Sequence, residues 1–325
     1  MGAKVTGYAL NPPTKPSLFK VVAINELINS VIGDITELHS LEKAMRQADP
    51  EIVIHMAAQP LVKESYKDPV KTYTTNVMGT VNLFESVKKC NSVKVVINVT
   101  TDKCYENKEW VWGYRENDPI GGYDPYSNSK ACSELVTASY RSSFFNPDNY
   151  KTHGVAIASV RAGNVIGGGD WAQDRLIPDC IQSIVNNEPI LIRNPNAIRP
   201  WQHVLEPLSG YLLLAENLFH YGTKFSGAWN FGPNDREIRS VEWVVKKVIE
   251  EWGGETSYQV DNRNHLHEAG CLMLDCSKAY SLLKWRPKLD THQSIDWTVK
   301  WYKNFVNRSN MQDYTLKQLI DYLAL

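Results

Sequence analysis

Reactive side chains of three kinds follow one apolar run of the chain. The β-branched segment Val95–Val99 predicts a buried strand, and a hydroxyl, a carboxylate and an amine come directly after it in Thr101, Asp102 and Lys103. The end of a parallel strand lies at the carboxyl edge of its sheet, where open α/β folds bind their ligands. The segment therefore predicts a reaction centre at this edge.

A tyrosine and a lysine further along the chain complete the set. Tyr126 and Lys130 are four residues apart, so on a helix they share one face. A free tyrosine has a pKa near 10 and acts as a base at neutral pH only when its phenolate is stabilised, and lowering that pKa by ~3 corresponds to about 4 kcal/mol. We expect Lys130 to contribute to this stabilisation. The Tyr-x-x-x-Lys spacing recurs by chance on ordinary helices, but it is specific in combination with the preceding strand and Thr101-Asp102-Lys103.

Together these residues resemble the catalytic set of the extended short-chain dehydrogenase/reductase family, and in particular its nucleotide-sugar 4,6-dehydratases. The resemblance implies an NAD-dependent cycle in which Tyr126, supported by Lys130, takes the proton of the sugar C4 hydroxyl while Thr101 holds the same oxygen. Asp102 would be the acid for the C6 oxygen. Lys103 stands where the dTDP-glucose branch carries a glutamate base for C5, and this difference implies CDP-glucose as the substrate.

The role of Lys103 stays open, because an ordinary lysine is protonated at neutral pH. It is either a C5 base with a lowered pKa or a charged group that binds substrate or enolate. Two other functions also stay open for the chain. A nucleotide-sugar 4-epimerase would use Thr101, Tyr126 and Lys130 alone, and a binding or regulatory remnant would have no catalytic activity.

The resemblance also implies residues for the cofactor. Asp34 and Ile35 match an Asp-Ile pair that contacts adenine, although Asp34 equally suits a cap for the following helix. Ala57 and Ala58 follow a predicted strand, where small side chains let the backbone approach a ligand. Asn76 matches an asparagine that supports the catalytic centre, with a purely structural role as the alternative. No arginine stands at the end of the second strand to bind a 2′-phosphate, which favours NAD over NADP.

Substrate-binding residues are expected in the second half of the chain. Asn164 matches a family residue at the head of a loop that contains three consecutive glycines, residues 167–169. Such a loop can bring backbone N–H groups against a diphosphate and can form a mobile lid, or it can be a simple connector. Arg199 matches an arginine near the substrate phosphates, with a solvated surface arginine as the alternative. Arg175 and Arg263 are further candidates for the nucleotide.

The composition excludes several other classes of protein. The chain has 325 residues, 43% hydrophobic content and a net charge of -1, without a block of basic residues, so it predicts a globular protein that binds no nucleic acid. It shows no signal peptide or long apolar run, and its six cysteines have no disulfide-framework spacing, so we expect a cytoplasmic protein with reduced thiols. His265 and His267 lack a third ligand at suitable spacing, and no metal is predicted.

The elements predict an α/β fold, a Rossmann-like doubly wound parallel sheet that lacks its first strand, with a smaller C-terminal α/β substrate domain. The NAD-binding domain is expected over residues 1–163 and 201–235, and the substrate domain over 164–200 and 236–325. The C-terminal helices suit packing or a homo-oligomer, such as a dimer. Strands are predicted at 30–32, 52–56, 95–99, 154–161, 190–193, 228–231 and 272–274. Helices are predicted at 36–47, 69–90, 126–144, 175–184, 206–220, 240–252, 295–307 and 315–323.

The resemblance covers nearly the whole chain except its beginning. Residues 2–10 predict the second strand of a dinucleotide-binding sheet, and the first strand, Gly-rich turn and helix would need roughly 25–30 residues upstream. We expect a truncated gene model, an upstream start or a degraded copy, with a complete chain that has a rearranged sheet as the alternative. The missing strand is central in the order 3-2-1-4-5-6, so strands two and four would face a gap.

Overall fold

The computed structural model describes residues 2–234, 237, 239–261 and 270–325. Its strands are β1 (Thr6–Ala9), β2 (Asn29–Ile32), β3 (Ile52–His55), β4 (Val95–Val99), β5 (Ala156–Ala162), β6 (Val165–Ile166), β7 (Ile190–Ile192), β8 (Ile198–Arg199), β9 (Gln202–His203), β10 (Gly227–Phe231), β11 (Arg239–Ser240) and β12 (Tyr258–Val260). Its α-helices are α1 (Leu18–Val21), α2 (Ile24–Leu27), α3 (Leu38–Ala48), α4 (Val62–Lys67), α5 (Pro69–Tyr73), α6 (Gly79–Lys88), α7 (Pro125–Ser143), α8 (Tyr150–His153), α9 (Leu176–Val185), α10 (Leu205–Tyr221), α11 (Val241–Trp252), α12 (Thr291–Val306) and α13 (Met311–Ala324).

Four parallel strands in the order β10-β5-β4-β3 form the sheet that carries the predicted reaction centre. Val95 on β4 lies opposite Ile52 on β3 and Ala156 on β5. Helix α10 packs on one face of this sheet, and α3, α6 and α7 contribute to the hydrophobic cluster on the other face. Burial on both faces explains why β4 reads as a continuous apolar run rather than an alternating one.

Strands β1 and β2 pair in parallel as a separate two-stranded sheet. Within the described part of the chain, no ladder of hydrogen bonds joins β1 to β3. Ile52 and Ile54 on β3 are more than one-third exposed. These six strands therefore form two separate parallel sheets.

A second hydrophobic cluster lies outside the sheet. Helices α9, α11 and α12 supply most of it, through residues such as Ile181, Val245 and Val299. The boundaries of the two predicted domains remain a prediction. No helix in the described residues is long and apolar enough to cross a membrane, and the six cysteines, all within that part, form no disulfide.

Several predicted elements differ from the structure. The strand predicted at 272–274 is wrong, since only an isolated bridge between Tyr114 and Leu274 forms there. The helix predicted at 69–90 is interrupted by a π-helical turn, Thr74–Met78, between α5 and α6. Helix α12 begins four residues earlier than predicted because Asp290 and Gln293 form a capping box, a signal that periodicity alone does not contain.

Candidate active site

A cavity of about 810 Å³ opens at the carboxyl ends of β4 and β5. Its walls include six of the residues predicted to be functional, Thr101, Lys103, Tyr126, Asn164, Arg175 and Arg199. The volume is in the range of pockets that hold small-molecule ligands and cofactors. The structure therefore brings predicted catalytic and predicted substrate-binding residues onto one cavity.

Thr101 and Tyr126 are neighbours at this cavity. The Thr101 hydroxyl donates to Asp102 Oδ1 at 3.0 Å and lies close enough to the Tyr126 phenol to act on its pKa. Helix α7 begins just before Tyr126 because the Asp124 carboxylate accepts a backbone N–H of its first turn at 2.9 Å. The start of the helix thus positions the phenol over the end of β4.

Burial raises the pKa of Tyr126 to about 12, and the interaction with Thr101 offsets only part of this effect. Lys130, which we expected to stabilise the phenolate, donates instead to the carbonyl of Val99 at 3.0 Å. Burial lowers the pKa of Lys130 itself to about 8. Among the protein groups around Tyr126, desolvation therefore outweighs the contacts that stabilise the phenolate.

Asp102 lies behind the cavity wall and its side chain is fully buried. Its Oδ1 accepts from Thr101, while its buried Oδ2 has no hydrogen-bond partner among the described residues. A buried carboxylate oxygen without a donor is unfavourable. Oδ2 is therefore an acceptor that a nearby hydroxyl would satisfy.

Lys103 lies in the cavity wall with its side chain about one-third exposed, at 30%. Its Nζ is 3.5 Å from Asp102 Oδ1. The role of Lys103, as a C5 base or as a charged binding group, therefore stays a prediction.

Asn76 is a buried residue of the π-helical turn and connects two parts of the site. Its Nδ2 donates to Ser129 Oγ at 2.8 Å, and its Oδ1 accepts from the backbone of Gln59 at 2.8 Å. Ser129 lies on α7 between Tyr126 and Lys130, and its hydroxyl donates to the carbonyl of Tyr126 at 2.7 Å. Asn76 thus positions the helix that carries the predicted base, and π-helical turns often occur at functional sites.

The other predicted cofactor residues do not line this cavity. Asp34 Oδ1 accepts from the backbone and the hydroxyl of Thr36 at 2.9 and 2.8 Å, a local turn just before α3. Ile35 is buried in the cluster beneath α6, where Gly79 packs closely against it. Ala57 and Ala58 are half-buried after β3. The Asp34 carboxylate therefore closes a local turn and does not cap α3, whose N-cap is Glu37. A contact between these residues and the cofactor stays a prediction.

The predicted phosphate ligands differ in their surroundings. Arg175 donates to Asp170 Oδ2 at 2.8 Å and lies close enough to Tyr126 to lower its pKa. Arg199 is buried, so it is not the solvated surface arginine of the alternative, and it donates to the carbonyl of Ile198 at 2.9 Å. Arg263, His265 and His267 lie outside the described residues.

Asn164 and the glycine loop after it shape the same wall. The buried Oδ1 of Asn164 has no hydrogen-bond partner in the described part of the chain. A Cβ at Gly168 would collide with the ring of Trp301, and one at Gly169, whose φ is +83°, would collide with Leu18. Close packing against these two side chains therefore explains the glycines.

The sequence interpretation missed a buried ion pair behind the centre. Arg161 Nε lies 2.9 Å from Glu134 Oε1, and both side chains are almost fully buried. Glu134 also accepts from the hydroxyls of Thr100 at 2.5 Å and Ser159 at 2.6 Å. Its position four residues after Lys130, on the same helix face, was the signal that could have found it.

Comparisons with known proteins decide the family. A family model described as GDP-mannose 4,6 dehydratase matches residues 18–298. CDP-glucose 4,6-dehydratase of Salmonella typhimurium is 55% identical over 324 residues, which cover 100% of this chain and 90% of that protein. The chain belongs to the extended short-chain dehydrogenase/reductase family. The family prediction made from Thr101, Tyr126 and Lys130 is therefore confirmed.

Solved structures of extended short-chain dehydrogenases/reductases share the fold. The dTDP-glucose 4,6-dehydratase of Bacillus anthracis, in complex with NAD, superposes with a TM-score of 0.73 at 23% identity, over 93% of this chain and 88% of that one. DesIV, a dTDP-glucose 4,6-dehydratase of Streptomyces venezuelae with NAD and TYD bound, gives a TM-score of 0.77 at 20% identity, over 94% and 89%. These structures confirm the predicted α/β fold with a parallel sheet, and both contain NAD.

Proposed function

We propose that this chain converts CDP-glucose to CDP-4-keto-6-deoxyglucose and water, with NAD as its cofactor. The observation that carries the proposal is the 55% identity to a CDP-glucose 4,6-dehydratase along the whole chain. The proximity of Thr101 and Tyr126 on a cavity of suitable volume supports it. So does the carboxylate of Asp102 directly behind Thr101.

In the first step Tyr126 accepts the proton of the C4 hydroxyl, and the Thr101 hydroxyl hydrogen-bonds the same oxygen. Asn76 and Ser129 hold the helix that carries Tyr126. Bound NAD would supply the hydride acceptor for C4 and the hydride donor for C6. Its positive ring would also favour the phenolate, which the protein groups around Tyr126 do not achieve alone.

In the second step water leaves across C5 and C6. A ketone at C4 makes the C5 proton acidic, so a base can remove it while the C6–O bond breaks and the C6 oxygen takes a proton. Asp102 is the proposed acid for that oxygen, and its buried Oδ2 is the atom available for the contact. Lys103 faces the substrate from the cavity wall, either as the C5 base or as a cation that stabilises the enolate.

The described residues fit part of the NAD molecule. Tyr126 and Lys130 lie at the carboxyl edge of the sheet, where the nicotinamide ring of a dinucleotide fold is held. Half-buried Ala57 and Ala58 would let the backbone after β3 approach the cofactor, and Asp34 lies in the loop after β2. A Gly-rich cradle for the pyrophosphate does not occur among residues 2–33, which precede Asp34.

The test is incubation of the purified protein with CDP-glucose and NAD, followed by mass spectrometry of the sugar nucleotide. We expect a product lighter by one water, which develops an enone chromophore in base. An unchanged mass with inversion at C4 would identify a 4-epimerase instead. No product, together with no binding of NAD, would indicate a protein without catalytic activity.

We also propose that the protein acts as a homodimer in the cytoplasm. Helix α5, the π-helical turn and α7 expose Val70, Met78 and Leu135, which are 75%, 49% and 59% exposed. Pro69, Tyr73, Val77 and Cys132 line a groove beside them. Apolar patches of this kind mark contact surfaces, and most homodimers join the same surface of both copies.

A further inference from the structure

A second group of charged side chains lies in the cavity wall, away from Tyr126. Asp179 is on the first turn of α9 and Arg193 follows β7, and both line the cavity. The charges that act on the pKa of Asp179 are Asp174, Arg193 and Lys63. None of these three is among the charges that act most strongly on Tyr126. The cavity therefore has a reaction end and a second, separately charged end.

The shape of a nucleotide sugar assigns the second end to the base. The molecule is linear, with the hexose on one side of the diphosphate and the nucleoside on the other. The hexose must lie at Tyr126 for the proposed chemistry. Arg175 is near enough to Tyr126 to act on its pKa and directly precedes α9, so it lies between the two ends. A substrate that extends past Arg175 reaches the first turn of α9.

The second end combines apolar walls with the carboxylate of Asp179. Pro178 and the exposed Leu191 are among its lining residues and offer apolar surface to a planar ring. Asp179 is half-buried, and burial raises the pKa of its carboxyl to about 6 although the backbone N–H of Asp174 donates to it. A partly desolvated carboxylate gains from any further hydrogen-bond donor that a ligand provides.

The neighbouring carboxylate is already occupied. Asp174 pairs with Lys63, and Arg193 NH1 lies 3.7 Å from Asp174 Oδ1. These contacts neutralise Asp174 within the cluster. Asp179 is therefore the carboxylate of this group that is suited to a ligand.

We propose that Asp179 selects cytosine by accepting a hydrogen bond from the 4-amino group of the base. This inference rests on the proposed function, because it takes a cytidine diphosphate sugar as the substrate. At this position cytosine carries an amino donor, whereas uracil and thymine carry a carbonyl oxygen. An ionised carboxylate only accepts hydrogen bonds, so it pairs with the amino group of cytosine and repels the carbonyl oxygen of uracil or thymine. The guanidinium of Arg193 beside it suits the acceptor atoms N3 and O2 of cytosine.

The experiment compares wild type with Asp179→Asn. Asparagine has the same shape, but its amide both donates and accepts, so it tolerates either kind of base. We expect the ratio of kcat/KM for CDP-glucose to kcat/KM for UDP-glucose to fall about tenfold or more. The affinity ratio of CMP to UMP, measured by titration calorimetry, should fall in the same way without any turnover. Asp174→Asn is the matched control and should change kcat/KM for CDP-glucose and for UDP-glucose by one common factor.

The outcomes separate this inference from the proposed function. If wild type dehydrates CDP-glucose and Asp179→Asn keeps the wild-type ratio for both sugars and for CMP and UMP, the inference is overturned. If Asp179→Asn lowers kcat/KM for CDP-glucose and for UDP-glucose by the same factor, the inference is also overturned, because such a loss indicates a structural role. If wild type does not act on CDP-glucose but prefers CMP in an Asp179-dependent way, the proposed function fails and the cytosine contact is supported.

Discussion

Tyr126 is the residue on which the proposed proton transfer depends, and its surroundings keep it protonated. Burial raises its pKa to about 12, and nearby Asp102 opposes the phenolate further. Only Thr101 and Arg175 favour the anion among the strongest contributions. A cationic nicotinamide ring would favour the phenolate, so proton removal by Tyr126 would depend on the oxidised cofactor.

The proposed base and the proposed acid of the centre have separable roles. Tyr126→Phe removes the atom that accepts the C4 proton, so we predict that it abolishes reduction of NAD by CDP-glucose. Asp102→Asn retains Tyr126 and Thr101, so reduction should persist while loss of water slows by about 100-fold or more. Single-turnover absorbance of the reduced cofactor and product mass measure the two reactions. Equal losses of both in each variant would contradict these roles.

His55 makes stability depend on pH. Its ring is fully buried with Nε2 at 3.2 Å from the Thr80 hydroxyl, and burial lowers its pKa to about 3. The unfolded chain, with the ordinary histidine pKa near 6.5, then binds more protons between these two values. Stability therefore falls as pH falls below ~6.5, by about 2 kcal/mol at pH 5.

The variant His55→Gln isolates this effect. We predict that the free energy of unfolding, from urea titrations at pH 7.5 and 5, falls more in wild type than in His55→Gln, with a difference of about 2 kcal/mol. The comparison uses the change with pH, so any constant cost of the substitution cancels. The same pH dependence in both proteins would argue against a buried neutral ring.

At the scale of elements, the Glu134 carboxylate fastens α7 to two strands. It accepts from Thr100 at the end of β4 and from Ser159 and Arg161 on β5. The same helix carries Tyr126, and Thr100 directly precedes Thr101. The pair of Glu134 and Arg161 therefore keeps the strand end and the helix in one arrangement.

Removing one partner of this pair should be costly. Glu134→Gln leaves a buried guanidinium without its counter-charge, and we predict a loss of about 3–5 kcal/mol in the free energy of unfolding, measured with urea. Adding Arg161→Met should restore part of the loss. Glu64→Gln breaks an exposed pair with Lys67 and is the control, for which we expect no measurable change. If Glu134→Gln changes the free energy of unfolding no more than Glu64→Gln does, Glu134 does not hold α7 against the strands.

Periodicity predicts the regular elements but not the local exceptions to them. The apolar spacing from residue 69 to 90 is helical throughout, and it does not reveal the π-helical turn at Thr74–Met78, which places Asn76 against Ser129. The segment 272–274 is apolar like a strand, yet Leu272 and Leu274 instead join a small cluster with Tyr114. Tertiary packing determines such segments, and it is not encoded within a short window of sequence.

For the whole molecule, the sequence predicts the catalytic residues better than the ion pairs and the burial that hold them in place. Thr101, Tyr126 and Lys130 were identified because strand ends and helix faces follow from short patterns. The ion pairs of Glu134 with Arg161 and of Lys63 with Asp174 join segments 27 and 111 residues apart. Their pairing depends on how the sheet and the helices meet, so it required the structure. The raised pKa of Tyr126 likewise follows from burial that residue types do not specify.

The assembly of the molecule is the last property that the structure makes testable. Val70, Met78 and Leu135 form one exposed apolar surface on α5, the π-helical turn and α7. Helix α7 also carries Tyr126, so a second copy packed on this surface would hold the back of the catalytic helix.

We predict that light scattering gives wild type twice the mass of the 36.9 kDa chain. Met78→Glu with Leu135→Glu should give the mass of one chain, because two facing charges would be buried. Leu282→Glu, at an equally exposed apolar position outside this surface, should remain dimeric. An unchanged mass in the double variant would exclude this surface as the interface.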